Sequence, residues 1–467
     1  MSCDRLSELP DSLIFDIFQF LPISDVVRTT FLSKRWNNLW TTFPFLIFND
    51  RELITDSDKF RNFINGVVNS WRGIKITGLS FDLVGSDPKL KEPYPSDNDI
   101  ASWMHFATEK NVEALIYYIA HQFEVPQFLY SCSSLKVLKL ILWYPQIHGN
   151  VQWDRLKKLT IVCIGFTQNT IDQILRGSPR LELFDLTLGG QSSADTREYC
   201  SIDLSIRSSS LMHLILCYKK DGGNIDPELR IWTPNLQILY IGGIPYRKCL
   251  LINVSSLLKV SIDIRGFPNE FPGTEFVGET LTRIFPTFKH VQFVIFTNWC
   301  IKSVGAMKSK HYLSPLPIAI ILRLVVSPKE YKHIVVVLEL FPNLRNLYID
   351  TIYKNCVAEH AESLFEFDHN LPDWFLQLLV RVDVIGDDSI FPLIQILLKY
   401  ATNLVVMDFT LEKGKQSGIP CKSLFMVSLK LLEMEISSPN ANLVFRSDRA
   451  KYPKLNNTYV VDIIKMP

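Results

Sequence analysis

A six-residue motif, L-x-x-L-x-L with other apolar residues substituting, returns along most of the chain. Clear copies begin at residues 135, 156, 181, 211, 236, 257 and 344, and looser ones at 76, 112, 288, 319, 379 and 404. From 112 to 344 the copies start 21 to 31 residues apart, a period typical of stacked repeats. Because no single copy can bury its own apolar residues, the copies must pack against one another in a continuous array.

The spacing within the motif predicts how each copy folds. The fourth and sixth residues lie on the same side of a short strand, and the first packs below them. The stretch "TIDQILRGSPRLELFDL" shows one whole unit, a helix, a Gly-Ser-Pro breaker and a strand. Strands of successive units would pair side by side in the same direction. The pattern therefore predicts an α/β fold, a leucine-rich-repeat solenoid with a curved parallel sheet.

The fifth residue of each copy points away from the packed interior, so these residues are predicted to form a column on the concave face of the sheet. The column mixes two tyrosines, an exposed isoleucine and isolated charges, and aromatic residues are enriched at binding hot spots. We predict that this face binds a target protein; the alternative is a solvated face, with recognition by loops or the C-terminal region. The predicted target-binding residues are Lys139, Thr160, Asp185, Ile215, Tyr240, Ser261, Gln292, Arg323 and Tyr348.

The first 45 residues follow a different pattern, typical of three short helices. Apolar residues at helical spacing follow Pro10 and stop at Pro22, namely Leu13, Ile14, Ile17, Phe18 and Leu21. Ser24 and Ser33 are predicted to cap the second and third helices. A unit shorter than about 40 residues seldom folds alone, so the rest of the chain or another protein must cover its apolar surface.

The segment "LSELPDSLIFDIFQFLPISDVVRTTFLSKRWNNLW" resembles the F-box abundant in plant proteins. The leading Leu-Pro, the "FLP" joint, the "VVRTTFLSKRW" helix pair and the closing "LW" carry the resemblance. It implies a helical domain that docks on a Skp-type adaptor, and through it on a cullin–RING ubiquitin ligase. Trp40 is expected to pack on the chain itself. The resemblance assigns these residues to adaptor binding: Leu9, Pro10, Ile14, Ile17, Leu21, Pro22 and Trp36.

Downstream of about residue 350 the chain resembles the FBD region that often closes plant F-box/leucine-rich-repeat proteins. The stretch "VRVDVIGDDSIFPLIQILLKYATNLVVMDFTL" has the order strand, helix, strand, although "GDDSIFP" departs from the family's second glycine-containing turn. Such a region can cap the end of a solenoid. The predicted domains are an F-box at 1–45, a linking helix in 46–72, the repeat solenoid at 73–350, and FBD-like repeats with a cap at 351–467.

Composition narrows the function classes. The net charge is +1, whereas nucleic-acid binders usually carry a strong basic excess. The nine cysteines are scattered, without zinc-ribbon spacing, which favours reduced thiols in an intracellular protein. The N-terminus lacks the apolar segment of a signal peptide, and the apolar runs are too short to span a bilayer. We expect a cytoplasmic or nuclear protein, or one found in both compartments, without nucleic-acid or membrane partners.

No catalytic motif is present in the sequence. "EKGKQSG" lacks the upstream glycine and the Ser/Thr of a phosphate loop, and His360 and His369 are interpreted as surface residues rather than metal ligands. We therefore expect a non-catalytic protein without a cofactor. The leading hypothesis is a substrate-receptor subunit of a Skp–cullin–F-box ubiquitin ligase. Two alternatives stay open: a receptor for a small signalling molecule, and an interaction scaffold that is not coupled to a ligase.

Overall fold

A computed structural model gives the structure of the chain. It describes residues 6, 8–49, 57–82, 96–118, 123–141, 149–164, 167–189, 203–219, 228–243, 246, 248–264, 274–307, 313–352, 371–372, 374–386, 390–411, 434 and 436–446. These residues fall into two compact units. The first comprises 1–202, 206–211 and 219–221, and the second comprises 203–205, 212–218 and 222–467.

The first unit opens with three short helices, α1 (Asp11–Phe18), α2 (Ile23–Arg28) and α3 (Lys34–Leu39). Ser33 caps α3 as predicted, its Oγ accepting a 3.5 Å hydrogen bond from the Trp36 amide. The predicted cap at Ser24 is wrong, because α2 begins at Ile23, directly after Pro22 and two residues earlier than a cap at Ser24 implies. Proline lacks an amide hydrogen to satisfy and its φ is restricted, so it suits the position before a helix as well as the first turn.

Among the described residues of the first unit, six parallel strands follow and pair in chain order. The segment predicted as a linking helix, 46–72, holds both α4 and most of β1, so the strand ladder begins earlier than predicted. The residues "FLIF" alternate between the two faces of a strand, and this alternation favours a strand over a helix. The elements are β1 (Phe45–Asn49), α4 (Ser57–Ser70), β2 (Gly78–Asp82), α5 (Asp97–Glu109), β3 (Ala114–Tyr118), α6 (Gln127–Tyr130), β4 (Val137–Ile141), β5 (Lys158–Ile164), α7 (Gln168–Gly177) and β6 (Leu183–Gly189).

The next strand, β7 (Leu204–Arg207), includes residues of both units. In the described part of the second unit, nine strands form a parallel ladder in the order β8, β10, β12 and then β13 to β18, while β9 and β11 pair separately. The remaining elements are β8 (His213–Lys219), β9 (Glu228–Trp232), β10 (Ile238–Gly243), β11 (Lys248–Ile252), β12 (Lys259–Ile264), α8 (Thr274–Ile284), β13 (Phe293–Thr297), α9 (Asn298–Ala306), β14 (Ile321–Val326), α10 (Tyr331–Leu338), β15 (Asn346–Thr351), β16 (Arg381–Gly386), α11 (Phe391–Tyr400), β17 (Val406–Leu411) and β18 (Asn442–Arg446).

The repeat motif forms the core of both units, which confirms the predicted α/β leucine-rich-repeat fold. In the copy at 236, for example, Leu236 and Leu239 are fully buried and Ile241 is 3% exposed. The copy at 288 is the exception. There Val291 and Val294 are fully buried in the first and fourth positions, so the true copy starts three residues later than predicted.

The stretch that resembles the FBD region has the predicted order of elements, with α11 between β16 and β17. Most of the predicted cap, including His360, His369 and "EKGKQSG", lies outside the described residues. Among the residues that are described, no helix is long and apolar enough to cross a membrane.

Candidate functional site

The three N-terminal helices expose a set of large apolar side chains, which we call the F-box apolar surface. Phe20 and Phe31 are 88% and 89% exposed, close to the exposure of a free side chain. Exposed apolar residues that stand singly are normal, but so many within about 20 residues indicate a binding surface. The surface comprises Leu13, Ile17, Phe20, Leu21, Phe31 and Leu32.

Helix α1 explains why this surface exists. Leu13 and Ile17 form one pair four residues apart, and Ile14 and Phe18 form the neighbouring pair. The second pair is fully buried, because the Phe18 ring packs against the ring of Trp36 at 5.6 Å. One small helix bundle has room for only one of the two pairs inside. The other pair remains in solvent.

The predicted adaptor-binding residues are therefore divided by the structure. Pro10, Ile17 and Leu21 are exposed, and Leu9 and Pro22 are partly exposed. The prediction is wrong in placing Ile14 and Trp36 on the docking surface, since their side chains are 0% and 3% exposed. The predicted packing of Trp40 on the chain itself is confirmed, because Trp40 is only 8% exposed.

Trp36 belongs to an aromatic core that joins the helices to the first strand. The Phe43 ring lies 5.3 Å from the Phe18 ring and 5.9 Å from the Phe45 ring, and Phe45 is the first residue of β1. The indole Nε1 of Trp36 is buried without a hydrogen-bond partner, which is a cost that the packing of its ring must outweigh. The size and aromaticity of Trp36 thus serve the fold.

The sequence interpretation missed Leu13, Phe20, Phe31 and Leu32. A signal for Leu13 was present, because it stands four residues before Ile17 and must share its helical face. Phe20 and Phe31 lie beyond the last residues of α1 and α2, although Phe20 stands three residues after Ile17 and Phe31 four after Val27. Helical spacing therefore carried a signal for them, but it does not say which apolar residues of a helix stay exposed.

Polar contacts hold the F-box apolar surface in place on the first unit. Arg35 of α3 forms an ion pair with Asp11 of α1. At the start of the repeats, the Trp71 indole Nε1 donates a 2.9 Å hydrogen bond to the Phe43 carbonyl, and the Arg72 amide donates a 2.7 Å bond to the Thr41 carbonyl. These bonds attach the end of the helical segment to the residues beyond α4.

The second candidate surface is the side of each sheet that carries the fifth motif residues, which we call the column face. In the first unit, Lys139, Thr160 and Asp185 are neighbours in register, as predicted. Burial raises the pKa of Asp185 to about 6, although the Lys139 charge and a hydrogen bond from Thr160 oppose the rise. The Lys139 ammonium also lies 5.1 Å from the centre of the Tyr118 ring. This part of the column face is a half-buried polar cluster.

In the second unit, Ile215, Tyr240 and Ser261 are also neighbours in register, but they are only 3%, 6% and 3% exposed. The expectation that Ile215 is exposed and that Tyr240 lies outside the core is therefore wrong. The Tyr240 hydroxyl donates a 2.8 Å hydrogen bond to Asp263 Oδ2. Gly242 makes room for the ring, since a Cβ at that position would lie 2.6 Å from it.

Gln292 does not belong to the column face. The residue paired with Ser261 and Arg323 in register is Ile295, which is 5% exposed. Gln292 lies before β13, and its backbone N–H donates a 2.9 Å hydrogen bond to the Leu258 carbonyl. The cause is the three-residue shift of this copy, in which "VQFVIF" rather than "FKHVQF" fills the motif.

The accessible part of the column face lies further along the second unit, around Tyr348. Tyr348 is half-buried and pairs in register with Arg323 on one side and Asp383 on the other. Arg323 Nε donates a 2.6 Å hydrogen bond to Asp350, and Arg381 Nε donates a 3.0 Å bond to Asp383. The bond to Asp383 is also the main reason that the pKa of Arg381 is raised. Two ion pairs thus flank one aromatic ring.

Lys259 lies on the column face two residues before Ser261, in the same strand β12. Its ammonium lies 4.3 Å from the centre of the Phe293 ring, and the residue is 9% exposed. Burial, together with the nearby Arg323 charge, lowers the pKa of Lys259 to about 8. Within the described residues, no group of three or more histidine, cysteine or carboxylate side chains could hold a metal ion.

Two family models match the chain over the regions described above. The F-box domain model matches residues 6–48, and a model named "FBD-associated F-box protein At5g56370, LRR repeats" matches residues 100–260. The chain is thus similar to F-box domains in its N-terminal segment and to the leucine-rich repeats of FBD-associated F-box proteins in residues 100–260. The first model spans the three helices and most of β1, and the second includes β3 to β11 and the first two residues of β12.

The chain is also similar to curated proteins of Arabidopsis thaliana. The chain is 28% identical over 267 residues to FBD-associated F-box protein At5g56370, covering 56% of this chain and 59% of the relative. It is 28% identical to F-box/LRR-repeat protein At3g03360, with 56% and 52% coverage, and 28% identical to F-box/FBD/LRR-repeat protein At5g53840, with 68% and 66% coverage. The chain thus spans between about half and two thirds of the length of these relatives.

Proposed function

We propose that this protein is the substrate-receptor subunit of a Skp–cullin–F-box ubiquitin ligase. The observation that carries the proposal is the F-box apolar surface, which remains in solvent while the rest of the helical segment is packed. A Skp-type adaptor is the partner that the F-box family implies. Docking would bury side chains such as Phe20 and Phe31, and each large apolar side chain removed from water contributes roughly 1.5–3 kcal/mol.

The repeats would hold the target protein. Of the predicted column, Arg323 and Tyr348 remain the best candidates, because both are partly exposed and Tyr348 lies between the Arg323–Asp350 and Arg381–Asp383 ion pairs. A tyrosine held between fixed charges offers a large contact area and loses little conformational freedom on binding. The other candidates are buried and stabilise the fold instead, namely Tyr240, Ile215 and Ser261.

In this role the protein accelerates ubiquitin transfer without catalytic residues of its own. Binding the target on the repeats and the ligase on the F-box makes the meeting of a target lysine with the charged ubiquitin carrier an intramolecular event. Tethering of this kind supplies effective concentrations of about millimolar for short flexible connections, far above free concentrations in a cell. Family members are generally non-catalytic adaptors, which agrees with this mechanism.

The adaptor arm of the proposal is tested with Leu13→Asp combined with Ile17→Asp in the full-length chain. Both residues are exposed, at 48% and 38%, so the fold should tolerate the charges while the docking surface does not. Co-purification with a Skp-type adaptor should be lost. Ile74→Asp is the matched control, because Ile74 is 94% exposed and lies outside the F-box model. Wild-type recovery of the adaptor by the double variant would refute the assignment.

The target arm is tested with Tyr348→Ala. After the proteasome is blocked, quantitative proteomics compares ubiquitinated proteins in cells that carry the wild-type chain or the variant. Proteins whose ubiquitination depends on the wild-type chain should lose it in the Tyr348→Ala cells, while adaptor co-purification stays unchanged. An unaltered set of ubiquitinated proteins would show that Tyr348 is not part of the recognition surface.

A further inference from the structure

A cavity of about 160 Å³ lies between the F-box helices and the first strand of the repeats. Leu21, Ile23 and Val26 form its wall on the helical side. Phe43, Phe45 and Ile47 form the wall on the side of β1. All of these elements belong to the first unit.

The lining determines what can enter the cavity. It contains apolar side chains and the amide of Gln19, with no charged residue among the lining residues. A charged group placed there would lose its hydration without gaining a partner of opposite charge. An apolar cavity of about 150 Å³ is large enough for a benzene-sized group. The cavity therefore suits one branched aliphatic or aromatic side chain.

The mouth of the cavity continues the F-box apolar surface. Leu21 lines the cavity and is also 38% exposed, next to Phe20 in the chain. On the opposite wall Ile47 is 55% exposed, although it belongs to a strand. A protein that covers the F-box apolar surface thus contacts Leu21, which also lines the cavity. Apolar anchors that fill such pockets carry much of the energy of an interface.

We propose that this cavity receives one large apolar side chain of the Skp-type adaptor, so that the adaptor binds the first repeat strand as well as the F-box helices. The inference rests on the proposed function, because it names a further contact of the same partner. Its consequence is geometric. An anchor seated between α2 and β1 fixes the angle between the adaptor and the strand that starts the sheet.

The test measures the affinity of the full-length chain for purified Skp-type adaptor. Ile47→Lys places a charge at the mouth, and Ile47→Trp fills the space with the chain's own side chain. Each should weaken binding roughly tenfold or more, the effect expected from losing one anchor. Ile74→Lys serves as the control and should bind as the wild type does. Thermal unfolding verifies that each variant is folded.

Three results would overturn the inference. If Ile47→Lys binds like the wild type while Leu13→Asp with Ile17→Asp does not, the adaptor docks on the helices alone and the proposed function stands. If Ile47→Trp binds as well as or better than the wild type, Ile47 is a flat contact and nothing enters the cavity. If the Leu13 and Ile17 double variant also binds normally, the proposed function itself fails.

Discussion

The burial of apolar residues differs between the F-box helices and the repeat strands. In the repeats, the first, fourth and sixth motif residues are buried, as Leu135, Leu138 and Leu140 show with 0%, 0% and 3% exposure. In the helices, apolar residues that are adjacent in the sequence differ in burial, so that Ile14 is buried while Leu13 is 48% exposed. A strand has a flanking strand and a covering layer to bury its apolar face. The helical segment, with about 30 residues, has only one small interior.

This difference separates residues that stabilise the fold from residues that await a partner. Substitution of a buried motif residue should lower stability and leave docking intact wherever the fold survives. Substitution on the F-box apolar surface should do the reverse. The predictions below test this division, beginning with the largest effect.

Leu138→Ala in the first unit and Leu239→Ala in the second should each lower the free energy of unfolding by about 2–5 kcal/mol, through lost burial and the cavity left behind. Both side chains are fully buried in wild type. Denaturant unfolding of the full chain provides the measurement, with Leu13→Ala as the control that should cost far less. Equal losses for all three variants would remove the distinction between the two regions.

Tyr240→Phe tests whether the column face is part of the fold at this position. The change removes the 2.8 Å hydrogen bond to Asp263 and keeps the ring. We expect a loss of roughly 1.5–3 kcal/mol, the usual contribution of a hydrogen bond to a charged group. Tyr348→Phe is the matched control and should leave the thermal midpoint within error. A Tyr240→Phe variant as stable as the wild type would mean that the hydrogen bond to Asp263 does not stabilise the fold.

Asp185→Asn should change the pH dependence of stability. The folded pKa of Asp185, about 6, lies above its ordinary value of 3.8, so the folded chain binds the proton more tightly than the unfolded chain does. Stability therefore falls as pH rises from about 4 to 6, by roughly 3 kcal/mol at most, at 1.36 kcal/mol per unit of pKa difference. In the variant this contribution to the slope should disappear, and stability at pH 7 should rise. An unchanged profile would contradict the burial of Asp185.

Tyr117→Phe should give the smallest effect, a gain. The Tyr117 ring stacks on Phe81 at 4.6 Å, but its hydroxyl is buried without a hydrogen-bond partner. Burial accordingly raises the pKa of Tyr117 well above its ordinary value. Removing the hydroxyl should raise the free energy of unfolding by about 1 kcal/mol, the desolvation cost that is no longer incurred. A clear loss of stability would indicate a partner for the hydroxyl.

Much of the fold was predictable because strand geometry imposes a strict period. Residues two positions apart in a strand lie on the same face of the sheet. The motif therefore identified core residues such as Leu236 and Leu239. The start of the copy at 288 was predicted wrongly because "FKHVQF" and "VQFVIF" overlap and both satisfy the apolar pattern. Only the pairing of Ile295 with Ser261 decides between them.

The candidate site was harder to predict, because exposure depends on tertiary contacts that a periodic pattern does not contain. Tyr240 occupies a position that points away from the main core. Its ring is nevertheless buried, because Gly242 leaves room for the ring and Asp263 accepts a hydrogen bond from the hydroxyl. Trp36 matches an F-box position but is enclosed by the Phe18 ring. In both cases the neighbouring side chains determine the role of the residue. The sequence pattern does not reveal which residues these neighbours are.

Hydrogen–deuterium exchange of the full-length chain, with and without a purified Skp-type adaptor, tests the central claim most directly. The account predicts that the adaptor slows exchange of amides in residues 11–39 and in β1, while the amides of β14 to β16 exchange at the same rate in both samples. Protection of β14 to β16 without protection of residues 11–39, or no protection at saturating adaptor, would contradict it.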